Sequence, residues 1–127
     1  LIPQADTPTD EGDLVMTVKA ERPYEIEGRE RVLEADGLRV QVLTLGPGEA
    51  VPWHYHSTVA DIFVAVEGRV VVETRAPRAR HELAPGEHCV VPAKTAHMVT
   101  GAVGERCRFT IVQGVGEYDY VPISPLS

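Results

Sequence analysis

Residues 48–68, GEAVPWHYHSTVADIFVAVEG, decide how the rest of the chain is read. Within them, Trp53-His54-Tyr55-His56 is an extended segment, and Asp61 to Val66 is a strand-like run. Side chains two apart on a strand share a face, so His54 and His56 point the same way, about 6.6 Å apart along the chain. Tyr55 then points the opposite way, and the histidine pair can converge on one ion. Asp61 opens the next run and shares its face with Phe63 and Ala65. A hairpin return at Asp61 would bring a carboxylate close to the pair.

The same rhythm extends in both directions. Strand-like runs cover 14–20, 31–35, 38–45, 61–66, 70–74, 88–91 and 106–113. Turn signals separate them: Asp36-Gly37, Gly46-Pro47-Gly48, Glu67-Gly68, Pro85-Gly86, Gly101 and Gly114. Residues 77–84 (PRARHELA) come nearest to a helical period and are too short for a helix. Many short strands at this spacing predict an all-β sandwich or barrel. No repeat or linker divides the chain. Residues 1–12, polar, acidic and proline-bearing, read as a loose tail, and residues 13–127 as a single domain.

The bulk properties agree. A chain of 127 residues suits one domain with a real core. It is 43% hydrophobic and 24% charged, with no apolar run long enough to span a bilayer. Its 11 glycines and 10 prolines lie between short Val-rich runs, as tight turns require. A net charge of −7 argues against nucleic acid or an anionic membrane as partner, because both demand a basic face. The charge serves solubility. Cys89 and Cys107 fall in separate apolar runs and read as buried free thiols, with a disulfide between neighbouring strands as the alternative. No secretory pattern is visible in these residues, and the expected compartment is the cytoplasm.

A third histidine completes a ligand set. In residues 86–97, GEHCVVPAKTAH, His97 follows the turn Pro92–Ala96. Three imidazoles with an optional carboxylate suit one divalent transition metal, Fe, Mn, Ni, Cu or Zn, and leave positions for water or a substrate. His81 and His88 lie in polar surroundings and read as surface residues.

The spacing Gly48-x5-His54-x-His56-x4-Asp61-x6-Gly68 resembles the first motif of the cupin superfamily, which has Glu where this chain has Asp61. Gly86-x5-Pro92-x-Lys94-x2-His97 resembles the second, with Lys94 where glycine is usual and Gly101 where the family has asparagine. The resemblance covers about residues 38–113. It implies an antiparallel jelly-roll β-barrel with His54, His56 and His97 as metal ligands and Asp61 at the fourth position. The Asp61 carboxylate is one methylene shorter than glutamate. It can reach the ion directly, through a water, or serve as acceptor for a histidine N–H. The expected ligand set is three histidines, with water in the remaining positions.

Alternation sketches a pocket. Phe63 and Ala65 share the face of Asp61, and Val99 shares that of His97. Such a lining fits a small molecule. The last long strand has a Cys107, Phe109, Ile111, Gln113 face and an Arg106, Arg108, Thr110, Val112 face. An inward Arg108 would meet an acidic substrate group; an exposed arginine face is the plainer expectation, and Arg39 and Gln41 are read in the same way. The resemblance implies either a metal-dependent enzyme on a small oxygenated molecule (a dioxygenase, isomerase or lyase), with Asp61 or bound water as base, or a metal-containing binding or sensor module without turnover. It also implies a homodimer paired through N-terminal strands, for which 14–20 is the candidate.

Overall fold

The computed structural model describes residues 24–123. The tail 1–12 and the run 14–20 lie outside the described residues. The chain forms strands β1 (Gly28–Ala35), β2 (Leu38–Leu45), β3 (Ala50–Tyr55), β4 (Ala60–Glu67) and β5 (Val70–Thr74). These are followed by β6 (Ala79–Leu83), β7 (His88–Val91), β8 (His97–Gly101), β9 (Cys107–Gly114) and β10 (Val121–Pro122). A short 3-10 turn, Ala102–Gly104, joins β8 to β9. Among the described residues, no helix is long and apolar enough to cross a membrane.

Two antiparallel sheets, ordered β1-β2-β9-β4-β7 and β10-β3-β8-β5-β6, close into a jelly-roll barrel. Their inner faces supply the core, including Leu43, Leu45, Phe63, Val70, Val72, Val99 and Phe109. Strand alternation explains the selection. On β9, Cys107, Phe109, Ile111 and Gln113 are buried, while the residues between them are half-exposed. Arg108 therefore faces outward, where its guanidinium lies 3.7 Å from Glu30. On β2, Gln41, Leu43 and Leu45 are the buried set. The Arg39 and Gln41 face is thus the inner one, contrary to the expectation from sequence. Leu43 and Leu45 fix this phase, because a strand cannot bury them and expose Gln41.

Within the run 77–84, residues 79–83 form an edge strand. Glu73 pairs with Arg80 in the β5–β6 register, and Arg69 Nη1 donates to Glu82 Oε2 at 3.0 Å. Charged side chains on an edge suit its exposure and hide the apolar alternation that marks a strand. His81 and His88 are exposed. Cys89 on β7 and Cys107 on β9 are both free, with β4 lying between their strands.

Candidate metal centre

His54 reaches the interior through a β-bulge. Val51 pairs with Val99 and His54 with His97, so three steps along β3 match two along β8. Plain alternation from buried Val51 would turn His54 outward; the extra residue around Pro52 and Trp53 returns it to the inner face. Proline is tolerated there because a bulge leaves an amide without a ladder partner. His56, just past β3, shares the inner side, as the period of two requires.

Asp61 arrives from the other sheet. β3 and β4 do not pair, so the return is not a hairpin; the chain crosses the barrel between them. Row by row, Arg39, Gln113, Asp61 and Val91 are neighbours in one sheet. Pro122, His54, His97 and Thr74 are neighbours in the other. The candidate donors of His54, His56, Asp61 and His97 lie within 4.8 Å of one another, and all four residues are buried.

The orientation of each imidazole is set by a backbone carbonyl. Nδ1 of His54 donates to Pro52 O at 2.7 Å, that of His56 to Asp119 O at 2.6 Å, and that of His97 to Thr95 O at 2.8 Å. A carbonyl only accepts, so each Nδ1 carries a proton and each Nε2 is left for the cluster. Nε2 of His56 and of His97 lie 3.1 and 2.8 Å from Asp61 Oδ2. Two ligand atoms each about 2.1 Å from one ion and at right angles stand about 3.0 Å apart. The donor spacing therefore fits a transition metal. Gln113 Nε2 donates to Asp61 Oδ1 at 3.0 Å, which leaves Oδ2 to the histidines.

The electrostatics follow from burial and these bonds. Burial alone would raise the Asp61 carboxyl, but hydrogen bonds from His56 and His97 hold it well below the usual carboxylate range. Burial also opposes charge on His56, yet its bond to Asp61 raises it above an ordinary histidine. His54 has no such bond to the carboxylate. Burial first, and the neighbouring His97 second, push it down to about 3. His54, His56 and His97 with Asp61 are the residues that would hold a divalent cation here.

Above the cluster lies a small pocket that opens to solvent. Phe63 and Val99 line it, together with Leu43, Val51, Phe109 and Ile111. Ala65 packs in the core beside Phe109, and Arg108 lies on the outer face; neither lines the pocket. Gln113, Gln41, Arg29 and Tyr24 line it as well, without having been singled out for it in the sequence. So do Tyr118 and Tyr120. Tyr120 stacks on His54 with centroids 4.5 Å apart, and Tyr118 stands 5.2 Å from His56. Between these tyrosines, Asp119 Oδ1 accepts from Ser57 N at 2.8 Å. Two aromatic residues flanking an aspartate just after the last long strand are the only local sign of this strap.

Lys94 has φ 67° and its N–H donates to His56 O at 2.7 Å. A left-handed backbone here explains why glycine suits the position. At Gly101 a Cβ would collide with the Glu105 carbonyl, so no side chain can replace the glycine without moving that turn.

Residues 41–117 match the Cupin domain family, and the chain belongs to it. No curated protein matches. Among solved structures, a conserved protein with a double-stranded β-helix domain from Klebsiella pneumoniae superposes with TM-score 0.66 at 19% identity, covering 84% of this chain and 91% of that one. TT1209 from Thermus thermophilus gives 0.64 at 25% identity, covering 78% and 91%. An oxalate oxidase gives 0.62 at 16% identity over 68% of this chain. This chain covers 46% of that oxidase, about half its length. These likenesses establish a shared fold.

Proposed function

We propose that this cupin binds one divalent transition metal through His54, His56 and His97, with Asp61 as the carboxylate of the site, and acts as an enzyme on a small oxygenated molecule. The observation that carries this reading is the set of three Nδ1–carbonyl bonds, which aim the Nε2 atoms into one buried cluster beneath an open pocket. When bound, a metal of the Fe, Mn, Ni, Cu or Zn group would supply Lewis acidity toward a carbonyl, enolate or carboxylate oxygen.

The chain's own residues supply the rest. Asp61, fixed by Gln113 and two imidazoles, is suited to holding charge rather than to moving protons, because a general base works best near the operating pH. Phe63, Val99 and Leu43 keep water from the inner wall. Tyr118 and Tyr120 line the pocket beside His56 and His54. A solved oxalate oxidase holds glycolate, and small oxygen-rich acids are the first compounds to assay.

The test is metal analysis of protein purified without a chelating tag, followed by turnover assays with and without oxygen. One ion per chain, lost in His54→Ala, together with conversion of a small acid, is the expected result. Occupancy below a tenth that added metal does not raise would overturn the metal site. Tight ligand retention without conversion would instead indicate a binding module.

The outer face of the first sheet supports a homodimer. Leu33, Val40, Val112, Ile62 and Val90 form one aliphatic row across its five strands. Of these, Leu33 is 48% and Val90 53% exposed. Sedimentation as a monomer at all concentrations would remove this part of the reading.

A further inference from the structure

Away from the histidine cluster, Arg29 and Gln41 line one part of the pocket. Arg29 is the only arginine or lysine among the described residues that line it. Its guanidinium sits 5.3 Å over the Tyr24 ring, and Nη1 lies 3.4 Å from Gln41 Oε1. No carboxylate pairs with Arg29 among the described residues.

Gln41 strengthens the case. It is 4% exposed and lines the pocket, and its oxygen faces Arg29. Among the described residues its amide nitrogen has no hydrogen-bond partner. A buried donor left unpaired costs free energy, so a side chain retained in this state points to an acceptor that arrives with a ligand.

The sheet register sets the ligand's length. Gln41 pairs with Ile111, which pairs with Phe63, while Asp61 pairs with Gln113. The Gln41 row is therefore two residues, about 7 Å, along the strands from the Asp61 row. We infer that the pocket takes a short organic acid end-on, its carboxylate between the Arg29 guanidinium and the Gln41 amide, its hydroxyl or oxo end toward the histidine cluster. Arginine and carboxylate match in charge and geometry, and Arg29 is the one cationic side chain lining the pocket among the described residues. The carboxylate would displace Gln41 Oε1 as the partner of Nη1.

This inference rests on the proposed metal-dependent reading, and its test separates the two. Malate and its neutral diamide are titrated calorimetrically into wild type, Arg29→Gln, Arg29→Lys and Gln41→Leu, each with and without added manganese. Manganese uptake is measured in parallel. The expected result is saturable malate binding, at least tenfold weaker in Arg29→Gln, partly kept in Arg29→Lys, and absent for the diamide, with manganese uptake unchanged in all variants. Uptake of manganese with no malate binding, or with equal binding by wild type and Arg29→Gln, overturns the inference and leaves the metal reading standing. Failure of manganese uptake with an Arg29-dependent malate response does the reverse.

Discussion

His54 and His97 are direct partners across the β3–β8 ladder, their ring centroids 4.3 Å apart. Both present Nε2 to the same interior volume because each gives its Nδ1 proton to a carbonyl two residues earlier in its own chain segment, Pro52 and Thr95. The repeated device means that each ligand is oriented locally, while the ladder sets the distance between them. The candidate donors are thus brought together by strands of both sheets.

Metal should therefore stabilise the folded chain measurably. An ion supplied at a hundred times its dissociation constant adds about 2.7 kcal/mol. The expected outcome is a raised Tm for wild type on adding manganese or zinc, and no rise for His97→Ala, read by calorimetry.

Asp61 separates two roles. Asp61→Asn keeps the shape and removes the charge, and is expected to weaken metal binding by about 10- to 100-fold. Asp61→Glu keeps the carboxylate but lengthens a fully buried side chain by one methylene, at a cost of about 1–3 kcal/mol. Metal titration and urea unfolding of the pair distinguish charge from fit; equal affinity in Asp61→Asn and wild type would remove Asp61 from the site.

The metal-free protein should weaken in acid because of His54. Its folded pKa of about 3 lies below the ordinary value of 6.5, so the unfolded chain binds a proton that the folded one refuses. Stability is then lost as pH falls through that window, by about 2–3 kcal/mol between pH 6.5 and 4.5. His56, raised by Asp61, acts oppositely: its contribution is full below the ordinary histidine value and is lost as pH rises through the folded one. Asp61, lowered, contributes above the ordinary carboxylate value and fails only in stronger acid. In chelator, His54→Phe should flatten the decline of the urea midpoint over pH 6.5 to 4.5. An unchanged slope would contradict a buried neutral His54.

The strap at residues 118–120 should govern metal retention. Asp119→Ala removes the acceptor for Ser57 N and loosens the carbonyl that orients His56. Metal dissociation faster by about tenfold is expected from the loss of such a supporting bond, measured by chelator competition; the Tm of the metal-free protein should move little.

The backbone variants make a further contrast. Lys94→Gly relieves a left-handed residue and should add up to about 1 kcal/mol, whereas Gly101→Ala forces a carbonyl aside and should cost more than that. Thermal unfolding of both checks the signs.

What the sequence disclosed depended on how local each signal was. The run 38–45 coincides with β2 and 70–74 with β5, because their valine- and leucine-rich runs follow glycine turns at Gly37 and Gly68. The histidines were legible because strand parity and motif spacing coincide on them. The inward phase of Gln41 was not, since a polar residue on an apolar face reads as exposed until Leu43 and Leu45 are seen to fix the register. Nor was the bulge that turns His54 inward, which is a property of pairing with β8. The strap lay furthest from view: its bond to His56 joins residues 63 apart.

One end of the barrel interior is oily and the other is wet, for Gln41, His54, His56, Asp61, His97 and Gln113 are all buried near the pocket. Each could be replaced by an aliphatic residue that would close the chamber and tighten the fold. Directed evolution for heat resistance alone would thus be expected to plug this end, Gln41 early among the losses. A lineage that keeps the chamber hydrophilic is one in which something other than endurance is being selected.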